Sequence, residues 1–223
     1  RDNPGNWLGL NIGYNYINPN PDVTLSYFRI DGGGNYVQWP SAGLAIESRY
    51  SGNINVSHGL LTNNGYNGVR ISNLYGSSTD SVYVNLSDIK VHGSGYDGFY
   101  ISNINYTVLN IDDVQVKDGF WDGFRINSNY YSKINLTGVS VTNYGDEAIS
   151  FSSNQTYTTV EVQLSNFRNN STRGGQYEIL ISGSYDYTNG GYTFNNNNFI
   201  NQTSDYLVRT SSSGGGDDLD FTY

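Results

Sequence analysis

The stretch that decides the fold is DGFYISNINYTVLNIDDVQV at residues 97–116, which returns at residues 122–141 as DGFRINSNYYSKINLTGVSV. The two copies start 25 residues apart, and in both of them apolar residues alternate with other residues. Alternation with a period of two is typical of a β-strand that buries one face. A repeat of this length predicts a chain built of stacked, similar units.

Three short apolar phrases recur along the chain at spacings of 25 to 30 residues. The first is found at Gly43–Ile46, Gly68–Ile71, Gly98–Ile101, Gly123–Ile126, Ala148–Phe151 and Glu178–Ile181. The second is found at Val23–Leu25, Ile54–Val56, Val84–Leu86, Leu109–Ile111, Ile134–Leu136, Val162–Leu164 and Tyr192–Phe194, and a third phrase comes directly after it. Three strands per repeat, without a helical period, predict an all-β solenoid of about seven to eight coils.

The repeated phrases also resemble a known superfamily. NGVRISN, DGFYISN and DGFRINSN, followed by VNLSDIKV, LNIDDVQV or INLTGVSV, resemble the right-handed parallel β-helix superfamily of the pectate lyases and viral tailspikes. The resemblance extends over about residues 8–210 and implies a right-handed parallel β-helix. In that superfamily the same coil serves lyases, hydrolases, epimerases, adhesins and tailspikes, so the resemblance implies the fold more strongly than an activity.

The chain divides into three segments. Residues 1–22 are interpreted as an irregular opening segment with the first coil, residues 23–210 as the β-helix, and residues 211–223 as a Gly/Ser spacer with a terminal strand. Because a solenoid has open ends, the terminal strand is a candidate cap or a strand that pairs with another subunit. Self-association through the solenoid ends is therefore an expected interaction.

The composition narrows the range of partners. The formal net charge is −9, and the 11 Lys and Arg residues are scattered along the chain. Binding to nucleic-acid phosphates needs a clustered basic face, so we expect no nucleic-acid partner. The chain has no cysteine, which excludes disulfides and cysteine metal sites and is compatible with an exported protein. Its apolar runs are far shorter than the ~20 residues that span a membrane.

One acidic or amide residue per coil precedes the first phrase. The column consists of Asn67, Asp97, Asp122 and Glu147, and stacking would bring Asp97 and Asp122 together as a carboxylate pair. Such a pair can divide acid and base roles in catalysis, or it can hold Ca²⁺, the one cofactor that the sequence allows. Alternatively, each side chain caps a turn by accepting backbone N–H groups, and the next glycine supplies a positive φ. These three readings stay open.

Two further columns are candidates for ligand binding. Arginines alternate with a tyrosine at the outward positions of the first strand, and aromatic residues precede the acidic column. Arginine and tyrosine can pair with and stack on an acidic sugar, and an aromatic strip can face sugar rings. Cross-strand packing alone is the alternative. The candidate ligand-binding residues are Tyr66, Arg70, Tyr96, Tyr100, Trp121, Arg125 and Glu147.

The candidate catalytic residues are Asp97, Asp122, Lys117 and His92. In the coil alignment His92 and Lys117 share a column, which is expected to bring His92 beside Asp97 and Lys117 beside Asp122. Histidine and lysine can exchange protons with a substrate when they lie within hydrogen-bond reach of it. An exposed turn histidine is the alternative, and one histidine in the column excludes a His-rich metal site.

Glycosylation sequons are frequent, and several fall at the outward position of the second strand. Stacked, outward asparagines are open to glycan attachment, or they form an unmodified ladder that is hydrogen-bonded along the solenoid. The candidate glycosylation sites are Asn55, Asn85, Asn105, Asn135, Asn154, Asn169, Asn170 and Asn201.

These observations favour recognition or structure over catalysis. The chain lacks the NTD, DD, GHG and RIK phrases that a polygalacturonase-like hydrolase would carry in successive coils, and its short coils leave little chain to wall a cleft. We expect an extracellular structural or recognition module, of the cell-surface, filament or virion-spike type, that is glycosylated and faces glycans or polysaccharide. The alternative is a lyase, hydrolase or epimerase that acts on acidic glycans.

Overall fold

The computed structural model describes residues 9–13, 21–34, 42–173, 177–183, 185–186, 191–200, 206–212 and 219–222. Every helix or strand among these residues is a β-strand. The strands are β1 (Leu10–Gly13), β2 (Val23–Asp31), β3 (Ala42–Arg49), β4 (Gly52–Thr62), β5 (Asn67–Tyr75), β6 (Val82–His92), β7 (Phe99–Asn105), β8 (Thr107–Asp112), β9 (Gln115–Lys117), β10 (Phe124–Tyr130), β11 (Lys133–Thr137), β12 (Ser140–Thr142), β13 (Ile149–Thr156), β14 (Thr159–Gln163), β15 (Asn166–Arg168), β16 (Tyr177–Gly183), β17 (Tyr185–Asp186), β18 (Gly191–Asn195), β19 (Asn198–Ile200), β20 (Tyr206–Ser212) and β21 (Leu219–Thr222).

The strands form two parallel sheets that run the length of a solenoid. The first sheet has the order β1-β3-β5-β7-β10-β13-β16-β20, so each strand pairs with its equivalent in the next turn. The second sheet holds both remaining strands of each turn, in the order β19-β15-β12-β9-β6-β8-β11-β14-β18-β21 with β4 and β2 attached. The register is parallel throughout the described pairs. The predicted parallel β-helix is confirmed.

Two details of the coil differ from the sequence prediction. The solenoid has about six turns, slightly fewer than the predicted seven to eight. In the early turns the second and third strands are one continuous strand, as in β4 and β6, and they separate only from β8 onward. The bend between them lies at a residue with positive φ, such as His58 in β4 and Asp88 in β6, which turns the strand without breaking its pairing.

The core consists of inward columns that run from turn to turn. Ile46, Ile71, Ile101 and Ile126 pair in direct register and are fully buried. Burial of one such side chain stabilises a fold by roughly 1.5–3 kcal/mol, so these columns supply much of the driving force for stacking. Phenylalanines continue the same pattern, and the rings of Phe99 and Phe124 stack with their centroids 4.8 Å apart.

The glycines after the acidic column have a packing role. Gly68, Gly98 and Gly123 do not belong to the glycines with positive φ, so the expectation that they supply a left-handed turn is wrong. A Cβ atom at Gly98 would collide with Val116 of the same turn, and one at Gly123 would collide with Val141. These positions need glycine because the third strand of the coil passes directly beneath them.

The end of the chain adds a strand to the stack. Strand β21 pairs with β18 in parallel register, with Leu219 opposite Tyr192 and Phe221 opposite Phe194. It extends the second sheet by one more strand of the same chain. The Gly/Ser spacer predicted from residue 211 onward begins inside β20, which ends at Ser212, and residues 213–218 lie outside the described residues.

Candidate functional site

The acidic column lies where the strands of the first sheet begin, before β5, β7, β10 and β13. Each side chain accepts the backbone N–H of its equivalent in the next turn. Asn67 Oδ1 accepts the N–H of Asp97, Asp97 Oδ1 accepts that of Asp122, and Asp122 Oδ1 accepts that of Glu147, each at 3.2 Å. The side chains therefore cap turns by accepting backbone N–H groups, as one of the three alternatives predicted, and each one caps the turn that follows it along the solenoid axis.

Arg125 joins the two aspartates. Its Nε lies 2.8 Å from Asp122 Oδ2 and 3.8 Å from Asp97 Oδ1, and both carboxyl groups are fully buried. Burial raises the pKa of Asp97 to about 8, and the neighbouring charge of Asp122 adds to the shift while Arg125 opposes it. Burial alone would lower the pKa of Arg125, but the charges of Asp97 and Asp122 outweigh it and raise that pKa. The arginine therefore neutralises a pair that is closed to solvent.

A second group of carboxylates begins at Asp122. Oxygens of Asp122, Asp146 and Glu147 all lie within 4.8 Å of one another. Burial raises the pKa of Glu147 to about 8, with a further contribution from the charge of Asp122, and burial also raises the pKa of Asp146. Oxygens held at this spacing suit a hard cation such as Ca²⁺, which takes oxygen ligands at about 2.3–2.6 Å.

The predicted aromatic strip is assembled beside the acidic column. The rings of Tyr66 and Tyr96 stack with centroids 4.5 Å apart, and Trp121 follows at 5.3 Å from Tyr96 with its plane tilted by 41°. The guanidinium of Arg125 lies 5.6 Å from the centroid of Tyr96. All three aromatic side chains are half-buried, so each presents part of its ring to solvent.

The outward column of the first strand is more covered than the sequence suggested. Arg70, Tyr100 and Arg125 are in register, but Arg70 is only 9% exposed. Its Nε donates to Ser72 Oγ at 3.1 Å, and its guanidinium lies 5.1 Å from the centroid of Tyr100. Burial lowers the pKa of Arg70, against the opposing influence of Glu47. Arg70 is thus packed within the sheet face, with little surface left for a ligand.

His92 and Lys117 share a column as predicted, since each pairs in register within the second sheet. Their side chains make other contacts, however. His92 Nε2 lies 3.2 Å from Gln115 Oε1, and Lys117 Nζ lies 3.5 Å from Asp118 Oδ2. Among the described residues, neither side chain forms a hydrogen bond or ion pair with the aspartates of the acidic column. The predicted acid–base arrangement is not assembled.

The outward asparagines of the second strand form a ladder. Asn85 Nδ2 donates to Asn55 Oδ1 at 2.9 Å, Asn110 to Asn85 at 2.8 Å, and Asn135 to Asn110 at 2.7 Å. The ladder reaches its last amide at Asn135, because the next turn has Glu161 in this position. Of the two alternatives for this column, the hydrogen-bonded ladder is the arrangement that the structure has.

The remaining sequons differ in access. Asn105 and Asn169 are half-buried, whereas Asn170 is fully buried. Asn170 Nδ2 donates to Glu178 Oε2 at 2.9 Å, and Asn170 Oδ1 accepts the N–H of Tyr144, so an attached glycan has no space in the folded chain. The side chain of Asn154 and the whole of Asn201 lie outside the described residues.

Some residues of the site were not expected from the sequence. Asp146 takes the position that Trp121 holds in the preceding turn, a position to which the sequence assigned no role in this turn, and its N–H donates to the carbonyl of Trp121 at 3.1 Å. Arg173, whose guanidinium lies 3.5 Å from the centroid of Phe120, comes from the following turn. The sequence did offer a signal for a second tyrosine column. A tyrosine followed by Ser or Thr recurs at 106–107, 131–132 and 157–158, with nearly the spacing of the coil.

Comparison with known proteins gives no functional assignment. No protein family matches the sequence, and no curated protein matches it. Among solved structures, a similar chain is the A-module of the mannuronan C-5 epimerase AlgE4 from Azotobacter vinelandii, at 8% sequence identity, covering 92% of this chain and 82% of that one, with a TM-score of 0.17. So low a TM-score carries no argument, and the fold is established by the strand pairing instead. No helix in the described residues is long and apolar enough to cross a membrane.

Proposed function

We propose that this β-helix is a non-catalytic recognition and structural module that presents a rigid, glycan-facing surface. The proposal rests on the burial and the hydrogen bonding of Asp97 and Asp122. Both are fully buried and both hold backbone N–H groups, Asp122 is paired with Arg125 at 2.8 Å, and burial favours the neutral acid form of Asp97 by raising its pKa. A catalytic acid or base must reach the proton that it transfers. These carboxylates are instead committed to the turns of the solenoid.

The alternative is a lyase, hydrolase or epimerase that acts on acidic glycans. The test is a panel of neutral and acidic polysaccharides, assayed for new reducing ends, unsaturated ends and epimerised residues, with Asp122→Asn as the matched variant. We expect no turnover by either protein. Turnover by the wild type that disappears in Asp122→Asn would overturn the non-catalytic proposal.

The surface proposed for glycans is the aromatic strip of Tyr66, Tyr96 and Trp121. Aromatic rings offer apolar contact to the faces of sugar rings, and Tyr and Trp are rigid anchors with a polar edge. Because the charge of Arg125 is already balanced by its ion pair with Asp122, we expect neutral glycans to bind at least as well as uronate polymers.

The strip is tested by affinity electrophoresis of the wild type and Trp121→Ala in gels that contain each polysaccharide. We expect Trp121→Ala to weaken retardation. Tyr27→Ala is the control, since Tyr27 is 80% exposed at a distant corner of the coil. Equal retardation of all three proteins would contradict the assignment of the strip.

The setting proposed for the module is extracellular, on a cell or virion surface. The support is the exposed or half-buried placement of the sequon asparagines Asn55, Asn85 and Asn135 on one outer face. Intact mass of the protein from its natural source tests this, and added hexose mass is the expected result. Self-association is proposed through the strands that end the two sheets, β20 and β21, which sedimentation at increasing concentration would detect.

The alternative for Asp122 is a calcium site: we propose that Ca²⁺, when bound by Asp122, Asp146 and Glu147, replaces Arg125 as the counter-charge of Asp122, as the mutual spacing of the three carboxylates allows. Ca²⁺ would have to displace the proton that Glu147 retains up to a pKa of about 8, so affinity should rise as the pH rises toward that value. Calorimetric titration with Ca²⁺ at acidic and alkaline pH measures this. Heat of binding in the wild type but not in Glu147→Gln would support the calcium site. The absence of binding heat in the wild type at both pH values would contradict it.

A further inference from the structure

A second aromatic column lies at the opposite end of the first-sheet strands, in the corner between the first and second strands of each turn. It consists of Tyr106, Tyr131 and Tyr157, which follow β7, β10 and β13. Tyr106 and Tyr131 stack with centroids 4.8 Å apart and planes within 2°, and Tyr131 and Tyr157 stack at 4.6 Å and 9°. The three rings form a nearly parallel ladder along the solenoid axis.

The backbone of this corner is unfavourable for tyrosine. Tyr106, Tyr131 and Tyr157 have φ values of 46°, 48° and 50°. Left-handed backbone favours Gly, Asn and Asp, and nine of the eighteen described non-glycine residues with positive φ are Asn or Asp. Tyrosine at all three positions therefore indicates that stacking of the rings compensates for the unfavourable backbone, which asparagine could not do.

The ladder stops at the preceding turn. Tyr75 pairs with Asn105 and Val82 pairs with Thr107, so residues 76–81 occupy the place that Tyr106 alone fills in the next turn. The residue that directly precedes Val82 is Ser81, where the next turn has a tyrosine. In the described part of the chain, Tyr131 is the one ring that stacks on Tyr106, and Ser78 and Ser81 line a groove beside Tyr106.

The inserted residues form a defined wall. Ser77 and Asp80 exchange backbone hydrogen bonds of 2.9 and 3.2 Å, and the N–H of Asp80 also donates to Ser77 Oγ at 3.0 Å. The N–H of Gly76 donates to the carbonyl of Asn105, which ties the start of the insertion to the next turn at 3.0 Å. The wall is thus pre-formed, which lowers the entropic cost of binding a ligand against it.

A groove of about 450 Å³ lies between this wall and the ladder. Its size falls within the usual range of about 300–1,000 Å³ for small-molecule sites. The lining combines ring edges, serine hydroxyls and one ammonium group, and its principal residues are Ser78, Ser81, Tyr106, Tyr131, Lys133 and Tyr157. An apolar ring face surrounded by hydroxyl and ammonium groups matches the chemistry of a sugar, which has apolar C–H faces and hydroxyls at its edge.

We propose that this groove binds a pyranose ring of a glycan, which stacks on the face of Tyr106 that is turned away from Tyr131, as a fourth rung of the ladder. Its hydroxyls exchange hydrogen bonds with Ser78, Ser81 and Lys133. The site deepens the proposed glycan-recognition function, but it lies after the ends of the first-sheet strands, whereas the aromatic strip of Tyr66, Tyr96 and Trp121 lies before their beginnings. A glycan that contacts both sites would cross the outer face of the first sheet.

The decisive variant is Ser81→Tyr, which places a protein ring where the sugar ring is proposed to stack. Binding of gluco-, manno- and galacto-oligosaccharides is measured by calorimetry, with backbone amide NMR shifts to locate the contact. We expect saturable binding by the wild type, with shifts at Ser78, Ser81 and Tyr106. We expect Ser81→Tyr to lose at least about tenfold in affinity and to melt no lower than the wild type, because the added ring extends the ladder.

Two further variants keep the test informative. Lys133→Met retains the apolar stem of the side chain and should weaken glycan binding about threefold. This variant tests the groove if Ser81→Tyr does not fold. Tyr27→Ala, at an 80% exposed position outside both aromatic columns, should leave this binding unchanged. The groove is ruled out if binding survives in Ser81→Tyr, is lost only in Trp121→Ala, or is observed with N-acetyltyrosinamide and with none of the oligosaccharides. Loss only in Trp121→Ala would leave the proposed function intact.

Discussion

Asp97 keeps a carboxyl group inside the fold, next to another carboxyl group and one arginine. Its Oδ1 accepts a backbone N–H, while its Oδ2 is buried without a hydrogen-bond partner among the described residues. A charged oxygen in that position would be costly. The pKa of about 8 for Asp97 is the consequence, because burial favours the neutral acid over the carboxylate.

This shift predicts how stability changes with pH. The ordinary pKa of 3.8 for Asp97 applies to the unfolded chain, and the folded value is about 8. Between these values unfolding releases a proton, so the stabilising contribution is complete at the acidic end and is lost as the pH rises through the folded pKa. We expect the melting temperature to fall from about pH 5 to about pH 9. Asp97→Asn, which preserves the Oδ1 acceptor, should flatten this dependence.

The control for the pH series is Asp112→Asn, which changes an exposed aspartate of β8. It should reproduce the slope of the wild type. A slope in Asp97→Asn as steep as in the wild type would mean that another group titrates, and Glu147, whose pKa is also raised to about 8, would then be substituted next.

Arg125 gives a second prediction at this scale. Arg125→Met keeps the length of the side chain but leaves the two buried aspartates without their counter-charge. Breaking a buried ion pair in this way typically costs about 3–5 kcal/mol. Because its pKa of about 8 leaves Asp97 largely protonated at neutral pH, Asp97 should add to the loss only as the pH rises. Urea unfolding at neutral pH measures the change, with the exposed Arg168→Met as control. A loss of less than about 1 kcal/mol would show that the aspartates do not depend on the arginine.

Strands follow from the sequence more directly than corners do. The period-two alternation of DGFYISN and LNIDDVQV was sufficient to predict which residues point inward, because one face of each strand is buried and the repeat fixes its neighbours. The same alignment placed Asp97 beside Asp122 and His92 beside Lys117 in their columns. Columns are therefore predictable where the repeat spacing is regular. The second phrase predicted at Val162–Leu164 is wrong by two residues, because Val160 and Val162 pair with Ile134 and Leu136 while Leu164 is 64% exposed.

Contacts around the corners were not predictable in this way. His92 and Lys117 are in the expected column, yet their side chains bond to Gln115 and Asp118, because the path of the chain between strands decides where a side chain points. Asp146 continues the column of the aromatic strip as a carboxylate, so the aromatic pattern gave no signal for it, and Arg173 joins this group from the following turn. The role of Gly98 was also missed, since the proximity of Val116 depends on how the third strand packs under the first.

The asparagine ladder yields a prediction at the scale of the element. Asn110 donates to Asn85 and accepts from Asn135, so Asn110→Ala removes two hydrogen bonds and leaves two amides without their partner. We expect a loss of about 1–3 kcal/mol in the free energy of unfolding. The exposed Asn166→Ala of β15 is the matched control and should change stability by less than about 0.5 kcal/mol. Equal values for the two variants would show that the ladder is not stabilising.

At the scale of the whole molecule, strand pairing among the described residues joins each turn only to the turns before and after it. Stability in such stacked folds is close to a sum of unit and interface contributions, so the central turns are protected from both sides and the terminal ones from one. We expect amide hydrogen exchange to be slowest in β7 and β10 and to quicken toward β2 and β18. Uniform protection along the stack would instead indicate a single cooperative unit.

The insertion at residues 76–81 shows how the molecule accommodates change. Five residues more than the next turn needs are taken up at one corner, while β5 still pairs with β7 and β6 still pairs with β8 in unbroken register. The length of the loop at this corner can therefore change without altering the strand pairing on either side of it. Loops of other lengths and sequences should be graftable there, which makes the solenoid a scaffold on which binding specificity can be exchanged without rebuilding the frame.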